Sequence, residues 1–163
     1  MLKAVYPGTF DPITLGHENL IRRASTLFDH VLVAIADSDQ KNPWFTANER
    51  VDLARAVLHD IPNVEVQSFS GLLMDFVRAQ HAKVIVRGLR AVSDFEYEFK
   101  MAATNRTLCP FVETVFLTPS ERFMFVSSTV VRELAHYGAD LSEFLQPSVI
   151  EAIQLRRVER SKE

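Results

Sequence analysis

Tyr6-Pro7-Gly8-Thr9-Phe10-Asp11-Pro12, followed by Thr14-Leu15-Gly16-His17, decides how the chain is read. An apolar strand start, Leu2 to Tyr6, runs into a small, turn-rich loop and then into the first turn of an amphipathic segment. A strand, a glycine loop and a helix start together make a seat for phosphate. The N–H groups at a helix start have no intrahelical partner, and the dipole there favours negative charge. The loop carries a hydroxyl, Thr9, and delivers an imidazole, His17, to that seat. Such a placement suggests chemistry on the phosphate as well as binding.

Outward from this stretch, short apolar runs alternate with longer helical patterns. Leu2–Tyr6, Val31–Ala36, Val64–Val66, Val84–Val86 and Val112–Leu117 read as strands. Several are nearly continuous in Val and Ile, as strands buried on both faces are. Between them lie His17–Phe28, Ala47–Leu58, Leu72–Gln80 and Asp94–Leu108, each long enough for the crossover helix that parallel pairing requires. Thr46 with Glu49, and Ser93 with Glu96, have capping-box spacing. A further helix is expected from about Ser128 to His136, and Pro147 suits the first residue of a last helix ending near Arg157. The pattern predicts an α/β, Rossmann-like, doubly wound sheet of five parallel strands with helices on both faces. No linker, repeat or low-complexity tract interrupts it, so residues 1–163 read as a single domain that includes the helices from about 128 onward.

Composition narrows the function. The 163 residues are 47% hydrophobic and 24% charged, with a formal net charge of -3. This is a globular composition with no basic footprint for nucleic acid. An anionic ligand must therefore be held by a local cluster. The lone Cys109 has no internal disulfide partner, and no Cys/His spacing resembles a zinc site. With no leader-like start and no apolar run of membrane-spanning length, a cytoplasmic protein is expected, with no metal ligands of its own.

In such sheets a ligand sits outside the carboxyl ends of the strands. At those ends the chain places Gly8, Thr9 and His17; Asp37-Ser38-Asp39-Gln40-Lys41; Ser68-Phe69-Ser70-Gly71 leading to Leu72-Leu73-Met74; Arg87-Gly88-Leu89-Arg90; and, a little later, Phe125 to Arg132. Taken singly, each has an ordinary explanation. His17 can be a polar residue at a helix start, and Lys41 a solvated loop cation. Arg87 and Arg90 can pair on the surface with Asp94, Glu96 or Glu98. Ser127, Ser128 and Thr129 can be caps, and the three acids can serve the helix dipole. What these explanations leave over is the convergence at one edge of one sheet. There is no P-loop, no GxGxxG and no Gly-x-Ser-x-Gly elbow.

Thr14-Leu15-Gly16-His17 resembles the (H/T)xGH motif of the nucleotidylyltransferase superfamily, and Ser127-Ser128-Thr129-Val130-Val131-Arg132 resembles its second motif, (I/V)SSTxVR. Within that superfamily the chain is similar to the bacterial phosphopantetheine adenylyltransferases. Tyr6 to Pro12, Phe45-Thr46 with Glu49-Arg50, and Arg87-Gly88-Leu89-Arg90-Ala91 with Asp94 to Glu98 carry the likeness, which runs from about residue 3 to about residue 150. The resemblance implies transfer of the adenylyl group of ATP to the 4′-phosphate of phosphopantetheine, giving dephospho-coenzyme A and pyrophosphate. It implies that Thr9, Lys41, Arg87 and the backbone near Leu73 hold phosphopantetheine. It places Thr9, Phe10, His17, Gly88, Leu89, Arg90, Glu98, Phe123, Met124, Phe125, Val126, Ser127, Ser128 and Thr129 at ATP, with His17, Lys41 and Thr9 at the chemistry. It further implies Mg²⁺ carried with ATP, a homo-hexamer, and feedback by coenzyme A.

The chemistry suits these residue types. The nucleophile is already an anion, so no general base is obligatory. The task is to bring two polyanions together and to stabilise charge on the α-phosphate. Two other readings stay open on sequence alone. One keeps the site but changes the acceptor, for instance to nicotinamide mononucleotide or glycerol phosphate. The other is a catalytically silent nucleotide sensor.

Overall fold

The computed structural model describes residues 1–37 and 42–162. Its elements follow in the order β1 (Lys3–Gly8), α1 (Leu15–Leu27), β2 (His30–Ala36), α2 (Ala47–Leu58), β3 (Val64–Phe69), α3 (Leu73–Ala79), β4 (Val84–Gly88), α4 (Val92–Leu108), β5 (Glu113–Leu117), a 3₁₀ turn at Glu121–Phe123, α5 (Ser128–His136) and α6 (Pro147–Arg160). The five strands form one sheet in the order β3-β2-β1-β4-β5, and every pairing is parallel. The expected α/β sheet is therefore present, with each strand of the sequence reading in place.

Side-chain alternation divides the core between the two faces. Ala4, Tyr6, Val31, Val33, Ile35, Val84 and Val86 pack into the larger cluster with residues of α1, α2, α5 and α6. Val5, Leu32, Ala34 and Ile85 point the other way, towards Met74, Val77 and the buried Cys109. Burial on both faces explains the unbroken apolar runs.

The topology sets the site. The chain winds outward from β1 to β2 and β3, then returns to lay β4 on the other side of β1. The order reverses between β1 and β4, and at such a switch the helices on either side diverge and leave a crevice beyond the strand ends.

Three local expectations need correction. The Ser93–Glu96 capping box does not form: α4 starts at Val92 with Ala91 as its cap residue, so Ser93 lies inside the helix. The helix start is pulled back because the Asp94 carboxylate accepts the Arg90 N–H (3.4 Å) while the Asp94 N–H bonds to the Ala91 carbonyl (3.1 Å). The first helix begins at Leu15, two residues before His17, because Thr14 caps it. The last helix runs past Arg157 to Arg160. By contrast, the Thr46–Glu49 box is formed as expected.

Candidate active site

A cavity of about 280 Å³ opens at the β1/β4 switch. It gathers Thr9, Phe10 and His17 from the β1–α1 stretch, Arg87, Gly88 and Arg90 from the end of β4, and Glu98 from α4. Phe123, Val126, Ser127, Ser128 and Thr129 close its far side. The convergence read from the sequence is thus present for these residues. Leu89, Met124, Phe125 and Leu73 do not line the cavity. The Leu89 N–H bonds to the Leu117 carbonyl (2.9 Å), and Phe125 is 86% exposed. Leu73 packs beside the second core cluster at the start of α3. Lys41 lies outside the described residues.

His17 is held with unusual definition. It is the third residue of α1, where a Glu would complete a capping box, and its imidazole does that work instead. The Thr14 N–H donates to His17 Nδ1 (3.1 Å), and Thr14 Oγ1 lies at the same distance. A backbone N–H is always a donor, so Nδ1 must accept, and the ring proton belongs on Nε2. Burial, with Arg90 and Arg87 nearby, pushes the imidazole pKa down to about 3. The group offered to the cavity is therefore a neutral Nε2–H donor. Its ring rests edge-on against Phe10, with centroids 4.8 Å apart. Phe10 holds a left-handed φ of 49° and is 2% exposed, so packing enforces its backbone. Gly8 permits this: a Cβ there would lie 2.9 Å from Phe10 Cε2.

The start of α1, offered as a phosphate seat by the first stretch, is partly occupied by its own cap, although Gly16 and His17 line the cavity. At the start of α1 the N–H groups of Leu15, His17 and Glu18 are taken, by the Phe144 carbonyl and by Thr14. At the start of α5, Ser127 Oγ accepts the Val130 N–H (3.2 Å) and the Ser127 carbonyl accepts the Val131 N–H. Among the described residues the Ser128 and Thr129 N–H groups have no such partner, and both residues line the cavity. The start of α5 therefore turns two free N–H groups toward the cavity. Ser127 is a cap, as the ordinary explanation had it, and Ser128 Oγ ties back to the Pro12 carbonyl (2.8 Å).

The two arginines differ. Arg87 donates to both Glu98 oxygens (2.9 and 2.7 Å) and to the Pro7 carbonyl (2.7 Å). This is a largely buried pair, unlike the surface pair of the ordinary explanation. Burial works against the Arg87 charge, but its bonds to the Glu98 carboxylate outweigh it and leave the pKa raised. Arg90 meets Asp94 at 3.5 Å and donates to the Val126 carbonyl (3.1 Å). Glu96 pairs with Lys100, out in solvent. Tyr6, which also lines the cavity, stays neutral because burial pushes its hydroxyl up to about 12.

Sequence reasoning missed the frame behind the site. Asp11, 3% exposed, accepts the Trp44 and Phe45 N–H groups (2.9 and 3.0 Å). Arg50, 1% exposed, donates to the Phe45, Thr9 and Ala36 carbonyls (3.0, 2.8 and 2.9 Å). Arg132 of the second motif donates to the Asp11 carbonyl (2.6 Å). Apart from Arg50 with Phe45, these partners are distant in sequence, and no local spacing signals them.

Residues 5–134 match the cytidylyltransferase-like family. The phosphopantetheine adenylyltransferase of Bordetella pertussis is 61% identical over 163 residues, covering 100% of this chain and 96% of the relative. That of Methylobacillus flagellatus is 63% identical over 155 residues, covering 95% and 97%. The chain belongs to the phosphopantetheine adenylyltransferase family. The fold extends further than the sequence likeness. Plasmodium falciparum nicotinic acid mononucleotide adenylyltransferase superposes with a TM-score of 0.71 at 15% identity, covering 93% of this chain and 94% of that one. The cavity residues lie in the matched span, and the motifs of this nucleotidyltransferase family are those that form the crevice.

Proposed function

We propose that this chain transfers the adenylyl group of ATP to the 4′-phosphate of phosphopantetheine, releasing pyrophosphate and forming dephospho-coenzyme A. The observation that carries this is identity above 60% along the whole chain to enzymes of that name. The donor cluster at the β1/β4 switch supports it.

In the reaction an oxygen of the acceptor phosphate attacks the α-phosphorus, and the bond from that phosphorus to the bridging oxygen breaks. Pyrophosphate carries away the electron pair. Thr9 and Arg87, with Lys41, orient the acceptor. His17 Nε2–H donates to a non-bridging α-oxygen, where charge accumulates. Arg90 and the open N–H groups at the start of α5 receive the leaving pyrophosphate. Alignment of the two reactants is worth as much as roughly 7–11 kcal/mol in favourable cases.

Magnesium belongs to the substrate, as MgATP. Among the described residues no group of three or more His, Cys, Asp or Glu side chains is placed to hold a metal. The cavity carboxylates Asp94 and Glu98 already face arginines. The donor set thus suits phosphate oxygens.

The exposed aromatics of α4, Phe95, Tyr97 and Phe99, with Phe111 beyond it, support assembly with further copies of this chain, read as the hexamer. Coenzyme A carries the same arm and an adenine nucleotide, so it competes for the site as a feedback ligand. None of the described helices is long and apolar enough to cross a membrane, which accords with a cytoplasmic enzyme.

Forward turnover with ATP and phosphopantetheine, with and without magnesium, tests the proposal. Dephospho-coenzyme A and pyrophosphate should appear in equal amounts. Nucleotide binding without pyrophosphate exchange in either direction would overturn it in favour of a sensor.

A further inference from the structure

We propose that Tyr6 is a further binding residue for the nucleotide: its hydroxyl donates a hydrogen bond to an oxygen of bound ATP. The residue lies outside both motifs, and the sequence resemblance gives it no role. The inference rests on the reaction proposed above.

Tyr6 is 5% exposed and packs in the larger core cluster. Its ring meets Phe10 edge-on, with centroids 5.7 Å apart, and Phe10 in turn supports His17. Among the described residues its hydroxyl has no hydrogen-bond partner, whereas every fully buried side-chain oxygen or nitrogen has one. The hydroxyl is therefore the part of the side chain that reaches open space, and the space that Tyr6 lines is the cavity. A buried tyrosine hydroxyl ordinarily finds a partner. Here the ligand of the cavity supplies it.

Burial pushes the phenol up to about 12, against the pull of Arg87 and Arg90, so it stays protonated at working pH. It offers one O–H donor beside two guanidinium groups, and a group drawn into that field is an oxygen acceptor. The sheet decides which half of the site the phenol serves. Ala4 and Val84 stand opposite one another and face the same core cluster. Alternation by two puts Tyr6, Val86 and Gly88 on that face as well, towards α1. A Cβ at Gly88 would stand 3.5 Å from the phenol oxygen and 2.6 Å from Leu20 of α1. Arg87, which orients the acceptor, takes the opposite face and runs to Glu98 on α4. The phenol thus shares its side of the sheet with His17 and the start of α5, the groups that meet ATP in the reaction above.

The test is Tyr6→Phe in the full-length protein, which deletes one oxygen and keeps the ring. Calorimetric ATP affinity should fall roughly tenfold and the KM for ATP should rise with it, while the KM for phosphopantetheine stays within about twofold of wild type. The melting temperature of the ligand-free protein should not fall, since the hydroxyl holds no protein group among the described residues. Titrations with 2′-deoxy-ATP and 3′-deoxy-ATP locate the oxygen. A loss that vanishes with one of them assigns a ribose hydroxyl, and a loss that persists with both assigns the phosphates. ATP affinity within about twofold of wild type overturns the inference, and a lowered melting temperature beside it marks a structural role. A raised KM for phosphopantetheine with ATP unmoved overturns it as well. A wild-type protein that binds ATP but forms no dephospho-coenzyme A overturns the reaction reading, and the ATP titration still decides the role of Tyr6.

Discussion

Replacing His17 by alanine separates two duties of one imidazole. Its Nδ1 accepts the Thr14 N–H at 3.1 Å and completes the cap of α1. Loss of a cap costs about 0.5–2 kcal/mol. For a chain of this size each kcal/mol lowers Tm by roughly 2–4 °C. Its Nε2–H is the donor at the reacting phosphate, and losing one such donor costs about 2.7–4 kcal/mol, or about 10²–10³ in kcat. The catalytic loss therefore exceeds the folding loss. His17→Asn supplies an acceptor for the Thr14 N–H and a donor of different reach, so it should recover the Tm and only part of kcat. The pH dependence follows from the same geometry. With its pKa held near 3, the folded imidazole is neutral across the working range, so kcat should show no step near pH 6.5. The unfolded chain, however, takes up that proton near pH 6.5. This share of stability is complete above pH 6.5 and declines as pH falls toward 3, by at most about 1.4 kcal/mol per pH unit. The ring edge open to the cavity trims the slope. Pyrophosphate release from pH 5 to 9, beside thermal melts of the three proteins, measures all of this. An alanine variant with kcat within threefold of wild type, or a step near pH 6.5 that vanishes in His17→Asn, would refute the assignment.

Other substitutions probe the surroundings. Lys41→Ala should cut turnover with little change in melting temperature, and Lys41→Arg should not restore it, because a planar fork does not replace a compact ammonium; an unchanged rate would return Lys41 to a solvated loop. Asp11→Ala removes the acceptor for two N–H groups and the carboxylate that lies 3.7 Å from Arg132. It should cost about 3 kcal/mol, read as a fall in the denaturation midpoint. Gly8→Ala drives a methyl to within 2.9 Å of the Phe10 ring that supports the imidazole, so kcat should fall while calorimetric ATP affinity holds; the reverse pattern would dissociate the ring from catalysis.

Where the chain could be read from its sequence, the reason is burial. Strands enclosed on both faces are apolar at every position, so β1, β2 and β4 announced themselves, and with them the sheet whose strand ends carry the site. Where reading fell short, backbone pairing acted without regard to side chains. The run Val64–Val66 stops at Gln67, yet β3 continues to Phe69 because Ser68 and Phe69 pair with Ile35 and Ala36. The start of α1 was misjudged because Thr-x-x-His is not the usual capping pattern, and only coordinates show an imidazole filling the Glu position. Arg87 and Glu98 both lie in stretches that the sequence marks. That they are each other's partner depends on how α4 leaves β4, which no spacing rule encodes. Asp11, Arg50 and Arg132 each lie in a stretch that carries the family likeness, but that they form one frame is not encoded in any spacing, because it joins segments far apart in the chain.

Arg50 repays a last thought. One guanidinium grips the chain at three separate returns, behind β1, at the end of β2 and ahead of α2. Releasing any single strand of that knot strands a cation in an oily interior, so piecemeal fraying there is forbidden by electrostatics rather than by packing. The neighbourhood must breathe as one body, and amides flanking residues 9, 36 and 45 should exchange with solvent in step.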